Sequence, residues 1–458
     1  MIQNQKNMKK GAALLFIIFA LLFFVLFIRI FYIQITGRAD GHSLKNEALQ
    51  KYMKTDVLEA RRGTIYDRQG EPIAEDTTSY TMAAILSPSI TTNPEKPSHV
   101  VDPEMTAATL AKYIDMSESD IYKQLTKKDV FQVEFGSAGR GLSNQVKSEI
   151  EKENLPGIVF SRESKRFYPN GTFASHLIGF AQKMEETKGK ETVVKTIGQM
   201  GIEKAYDDYL QGKNGRIQYK SDLWGYLLPN KKEMVEEPEH GDDIYLTIDS
   251  KIQAFLEDVM TEVEEKHNPE SIIAVVANPK TGEILAMGQR PTFHPDTREG
   301  LSNNWRNVVV ENSFEPGSTV KIFTLAAAVE EGTFTPNAYF KSGRYKVGGG
   351  SIRDHNGGEG WGNITYLEGI QRSSNVAIAN MLDQMGADTF RKYIDEFGFG
   401  KKTGIDLPNE DTGSILYHYP IEKVTTAFGQ GSTATAIQII QGATAIANDG
   451  KMMKPYVI

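Results

Sequence analysis

Two short runs of hydroxyl, amine and amide side chains hold the chemistry this sequence can offer. The first is Phe314-Glu315-Pro316-Gly317-Ser318-Thr319-Val320-Lys321, followed by an Ala-rich apolar stretch, Ile322 to Val329. Pro316 and Gly317 break the backbone just before Ser318 and the apolar stretch after it reads as helix, so Ser318 falls at or near a helix N-terminus. Residues three apart share a helix face, and the Lys321 amine can lie beside the Ser318 hydroxyl. The helix dipole favours negative charge developing at that end. A lysine among apolar neighbours such as Phe323 is desolvated, which lowers its pKa and lets it act as a general base toward serine. The same spacing also fits a capping serine beside a solvated lysine, so the tetrapeptide alone leaves both readings open.

The second run is Gln371-Arg372-Ser373-Ser374-Asn375-Val376. Ser373 and Asn375, two apart on a loop or helix start, can aim a hydroxyl and an amide the same way. That supplies a proton relay and a donor and acceptor for a substrate amide. Ser302-Asn303-Asn304 fits the same pattern and reads as a polar loop. The chain has no Cys, which excludes disulfides, thiolate metal sites and a Cys nucleophile. Its eight His show no ligand spacing, and His294 and His355 read as loop residues, so neither a metal nor an organic cofactor is expected.

These residues need elements to position them. The chain has 458 residues, 40% hydrophobic and 24% charged, enough for two or more folded units with real cores. Its net charge of -8 is spread along the length without a basic run, which argues against a nucleic-acid partner. From Gly11 to Ile28 no residue is charged, and the apolar stretch continues past Arg29. That length can cross a bilayer core of about 30 Å. Lys6, Lys9 and Lys10 precede it and no small-residue cleavage pattern follows, so an uncleaved single-pass anchor with a cytoplasmic N-terminus is expected. The rest of the chain is then extracytoplasmic, on the cell membrane.

Beyond the anchor, Gly41 to Leu58 looks helical, and Arg61 to Gly70 reads as strand, turn, strand. Helical spacing returns between Asp102 and Glu153. Lys231 to Asp243 is charged and nearly free of apolar side chains, a linker or surface crossing. After it, Ile244 to Thr247 reads as strand, Ser250 to His267 as amphipathic helix and Ser271 to Ala277 as a buried strand. Asn278 to Gly282 is then a turn, Glu283 to Met287 the hairpin partner, and Ala434 to Asn448 a helix. The fold class predicted is α+β, with helices covering an antiparallel sheet.

Taken in order, Ser318-x-x-Lys321 and Ser373-x-Asn375 resemble the first two active-site motifs of penicillin-binding proteins and serine β-lactamases. Other stretches resemble the class B members. The Arg61 to Gly70 run looks like their head and dimerisation signature, and Arg166-Phe167-Tyr168-Pro169 and Gly201-Ile202-Glu203 like their pedestal. Asn278 to Met287, Gly398-Phe399-Gly400 with Gly404 to Pro408, and Ala427-Phe428-Gly429-Gln430-Gly431 look like parts of their transpeptidase domain. The resemblance implies a cytoplasmic tail at 1–10, an anchor at 11–36, an elongated pedestal and dimerisation module at 37–240, and a transpeptidase domain at 241–458. The anchor and head look most like the Gram-positive, division-associated 2B type.

The family's third motif, Lys-Thr-Gly on a sheet edge, binds the substrate carboxylate. Lys280-Thr281-Gly282 precedes the nucleophile, and Lys402-Thr403-Gly404 leads into Ile405-Asp406-Leu407-Pro408; neither fits, so a C-terminal truncation is expected. The implied activity is that of a serine D,D-transpeptidase cross-linking peptidoglycan stem peptides delivered on a lipid-linked precursor. In it Ser318 is nucleophile, Lys321 base, Ser373 proton relay and Asn375 a substrate contact, and β-lactams acylate Ser318. Implied partners are other division or elongation membrane proteins and a homodimer. The alternatives are a penicillin-binding sensor or scaffold that does not turn over, and a β-lactamase.

Overall fold

The apolar N-terminal run forms one helix, Ile2–Thr36, of which Ala12–Thr36 is long and apolar enough to cross a membrane. Residues 2–39, 42–43, 53–188, 191–220, 234–301 and 305–458 are described in this computed structural model. Two compact units are present: Met1–Ala60 with Lys213–His240, and Arg61–Gly212 with Gly241–Ile458.

In the first unit, Gly215–Lys220 pairs antiparallel with both Met53–Leu58 and Met234–Glu236. This corrects two sequence expectations. The end of the helical-looking Gly41–Leu58 stretch is a strand, because its extended alternation meets a matching partner about 160 positions away; residues 44–52 lie outside the described set. Likewise, the charged crossing begins in residues outside that set and then enters an edge strand, a position that tolerates charge.

In the second unit, Ile65–Tyr66 runs parallel to Ile244–Tyr245 and antiparallel to Pro72–Ile85, which also pairs with Gln132–Glu134 and Ile158–Phe167. Within the Arg61 run, strand Ile65–Tyr66 leads into the turn Asp67 to Gly70, but the second strand starts beyond the run, at Pro72. Gly63, ahead of the first strand, is required because a Cβ would sit 1.8 Å from the Asp242 carbonyl oxygen. The helices Pro103–Leu110, Glu118–Leu125 and Asn144–Lys152 close a core of Leu110, Ile121 and Ile150 over Met82 and Phe135.

A buried ionic cluster joins the three family-like segments of this region. Glu203 accepts from Arg62 Nε and from Arg166 Nε at 2.7 Å each, and from the Tyr168 hydroxyl at 3.2 Å. Arg62 also meets Asp207 at 2.7 Å, and Arg166 meets Asp76 at 3.3 Å. Burial, reinforced by the Glu203 charge, raises the Tyr168 pKa and keeps the hydroxyl protonated as a donor.

The later part of the unit carries the chemistry. Helix Ser250–His267 has the predicted bounds, with Asp249 as its cap and Asn268 in the left-handed conformation at its end. It lies on the antiparallel hairpin Ile272–Ala277 and Ile284–Arg290. Gln253 is buried between them, bonded to both backbone polar groups of Met287. The strand Ile272–Ala277 was predicted to be buried and is half-buried throughout, because among the described residues it pairs along its length with one neighbour only. Helices Lys321–Glu330, Asn375–Met385 and Ala387–Glu396 pack a second core around Phe323, Ile378 and Phe390. The last helix spans Ala436–Ala447; the two residues before it form a short strand with Ser313–Phe314. Separate helical and antiparallel layers make the architecture α+β, as predicted.

Candidate active site

Gly317 takes φ +59, a left-handed turn that reverses the chain after Pro316. Gly317–Val320 then forms a 3-10 turn that runs directly into the helix Lys321–Glu330, so Ser318 stands one turn ahead of the α-helix rather than on it. The Thr319 hydroxyl ties the turn by donating to the Pro316 carbonyl at 2.6 Å. Side chains at i and i+3 eclipse in 3-10 geometry, which keeps Ser318 and Lys321 on one face. Ser318 is exposed, and its hydroxyl makes no hydrogen bond among the described residues.

Lys321 is buried, with 6% of its surface exposed. Its Nζ donates to the Ser373 carbonyl at 2.7 Å and meets the Ser373 hydroxyl at 3.0 Å. Desolvation lowers its pKa from 10.5 to about 8, opposed by the negative charge of Asp354. A neutral amine has two N–H donors and one lone pair. The two Ser373 contacts account for both donors and leave the lone pair for a proton from outside.

Ser373 reaches this position through a strained turn. It has φ +55, uncommon for a residue with a Cβ. Helix Tyr366–Gln371 ends just before it, and Ser374 caps the next helix, Asn375–Met385, by accepting from the Ala377 N–H at 3.0 Å. Asn375 is the first residue of that helix, and its side-chain amide donates to the Arg353 carbonyl at 3.0 Å. The structure therefore joins Lys321 to Ser373 directly and anchors Asn375 on the same turn. Ser318 is brought to the neighbouring turn with no hydrogen bond to Lys321. Ser302-Asn303-Asn304 lies outside the described residues.

Asp354 was not singled out in the sequence. It is buried and accepts from the Ser374 hydroxyl at 2.8 Å, the Val376 N–H at 3.0 Å and the Gly343 N–H at 2.8 Å. One carboxylate thus fixes the strained Ser373 turn and partly offsets the desolvation that lowers the Lys321 pKa. The available signal was the Ser373-Ser374 doublet, whose second member was free to cap; its partner, 20 positions earlier, carried none.

Both Lys-Thr-Gly triplets are structural. Lys280-Thr281-Gly282 forms the hairpin turn, with Gly282 at φ +85. In the other, Thr403 gives its N–H and hydroxyl to the buried Glu410 carboxylate at 2.5 and 2.6 Å.

Residues 57–246 match the family model of the penicillin-binding protein dimerisation domain, and residues 272–458 that of the penicillin-binding protein transpeptidase domain. The chain is 35% identical to the stage V sporulation protein D of Bacillus subtilis, over 98% of this chain and 67% of that protein. The chain belongs to the class B penicillin-binding proteins. A probable peptidoglycan D,D-transpeptidase, PenA, of Neisseria gonorrhoeae is 28% identical over 98% of this penicillin-binding protein and 74% of its own length. The crystal structure of penicillin-binding protein 2X from Streptococcus thermophilus superposes with a TM-score of 0.69 at 35% identity. That match covers 88% of this chain, which spans 61% of the crystallised one.

Proposed function

We propose that this penicillin-binding protein is a serine D,D-transpeptidase whose nucleophile is Ser318. Ser318 Oγ attacks the carbonyl carbon of the penultimate D-alanine of a stem peptide while Lys321 takes its proton. The peptide C–N bond breaks, Ser373 passes a proton to the departing nitrogen, and the terminal D-alanine leaves. The amine of a second stem peptide then attacks the acyl ester, forming the cross-link and restoring the serine hydroxyl. Asn375 holds the donor peptide's amide, and the Ser318 N–H serves as one oxyanion donor. A β-lactam amide enters the same path and stays attached to Ser318.

The observation that carries this reading is the buried Lys321 amine. It is poised near neutrality and bonded to Ser373, one turn from an exposed serine. A lysine with a pKa of about 8 is neutral in about a tenth of molecules at pH ~7, enough to supply a base. On this reading the N-terminal helix anchors the protein with its first residues in the cytoplasm. Residues 37–240 serve as the pedestal and dimerisation module and 241–458 as the transpeptidase domain, and the role is septal. Its partners are other division membrane proteins and a second copy of the chain, and its donor substrate arrives on a lipid-linked precursor.

The test is labelling of the full-length protein with a fluorescent penicillin in membranes, beside Ser318→Ala. Wild type should form a covalent band that the variant lacks; a band of equal strength in the variant would sink the assignment. Rapid loss of the label as hydrolysed drug would favour a β-lactamase, and labelling without cross-linking a sensor.

A further inference from the structure

We propose that the Ala427–Gly431 loop is a positioning element for Ser318, with Gly429 and Glu315 as its two points of grip. This rests on Ser318 being the nucleophile. The loop is anchored on its own side by the end of helix Pro420–Thr426, where Phe428 and Gln430 donate to the Thr425 carbonyl and Gly429 to that of Thr426. It is anchored to the nucleophile's helix by the Thr324 hydroxyl, which donates to the Ala427 carbonyl at 2.6 Å in a buried contact.

From that base it holds the turn carrying Ser318. The Gly317 N–H donates to the Gly429 carbonyl at 2.9 Å, and the Gly431 N–H donates to the Glu315 carboxylate at 3.0 Å. Gly429 has φ +83, and a Cβ there would lie 2.0 Å from the Gly317 carbonyl oxygen. The two backbones are therefore in direct contact, one residue from the attacking hydroxyl.

Packing behind the turn, where Val320 is buried, is incomplete. An apolar cavity of about 30 Å³ lies there, lined by Pro316, Val320, Phe323, Phe397, Phe399 and Gly429 among others. That is room for about two waters, between walls that offer water little to bond. With the apolar packing behind the turn incomplete, the loop's hydrogen bonds to Gly317 and Glu315 help decide where Ser318 Oγ sits. Small displacements of a reacting atom reduce rate far more than binding. The loop should consequently govern the acylation rate constant and leave the affinity of the preceding non-covalent complex alone.

The experiment measures acylation of the full-length protein by a chromogenic β-lactam, separating the rate constant from the dissociation constant of the initial complex. Glu315→Ala should lower the rate constant about fivefold, the worth of one hydrogen bond, while the dissociation constant stays within about twofold. Glu315→Gln keeps an oxygen for the Gly431 N–H and should restore the rate. Gly429→Ala should lower it more than about tenfold. Gly450→Ala has φ +83 and open space around it, so it controls for backbone strain alone and should match wild type. Unchanged rate constants in Glu315→Ala, or a loss confined to the dissociation constant, would overturn the proposal even if Gly429→Ala failed to fold. An acylable Ser318→Ala would instead remove the nucleophile assignment beneath it.

Discussion

Replacing Lys321 by Met should make the protein more stable and catalytically silent. Folding lowers the lysine's pKa from 10.5 to about 8. Below about pH 8 both folded and unfolded states carry the proton, and the cost of burying the ammonium is fully present. Between there and 10.5 the native state has shed its proton while the unfolded chain keeps it, so native stability rises with pH across that window. At about 1.36 kcal/mol per pH unit the gap amounts to about 3 kcal/mol.

Methionine removes that cost but leaves the Ser373 carbonyl without its donor, which returns about 1 kcal/mol. The net gain near pH ~7 is about 2 kcal/mol, or about 4 to 8 °C in melting midpoint for a domain of this size. Thermal melts in detergent should show Lys321→Met above wild type near neutrality, with the difference vanishing about 1.5 pH units above 8 and wild type ahead by about 1 kcal/mol once pH reaches 10.5. A variant that melts below wild type near neutrality would refute the reasoning, as would a difference independent of pH.

The remaining predictions concern rate and folding. Acylation of wild type should climb about tenfold per pH unit as Lys321 deprotonates and level off above about 8, checked by stopped-flow with a chromogenic β-lactam; a flat profile contradicts a lysine base. Asp354→Asn removes the charge that raises the Lys321 pKa, so the inflection should move below about 8. The same change sets an amide N–H against donors that now face carboxylate oxygens and should cost about 2 kcal/mol in melts. Glu203→Ala takes the shared carboxylate from two buried guanidinium groups, leaving Arg62 with Asp207 and Arg166 with Asp76, and should cost about 3 kcal/mol, read as a fall in membrane level and melting midpoint. Acylation constants of the surviving protein should stay at wild type, since Glu203 touches no residue of the Ser318 turn.

Much of this was legible in the sequence because it is local. The amphipathic spacing from Ser250 to His267 marks that helix, and Pro316-Gly317 marks the break before Ser318. What escaped is non-local. Ile244–Tyr245 reads as a strand of the later domain yet pairs with Ile65–Tyr66, since a two-residue strand carries no information about its partner. Met53–Leu58 looked helical until its partner was known. In the site, Ser318, Lys321, Ser373 and Asn375 were visible as spacings. The Lys321 contact to Ser373 comes only from the packing of helix Lys321–Glu330 against Asn375–Met385, and the hold of Asp354 on the Ser373 turn only from the strand Gly350–Arg353 meeting that second helix. The 3-10 turn under Ser318 was likewise hidden, because glycine signals a reversal without specifying its pitch.

The most direct measurement is the site of acylation. Full-length protein treated with penicillin is digested, and the adduct is located by peptide mass spectrometry. The added mass should lie on Ser318, and its yield should follow deprotonation of a group with a pKa of about 8. An adduct on any other residue, or one on Ser318 that forms equally fast in Lys321→Met, contradicts the account.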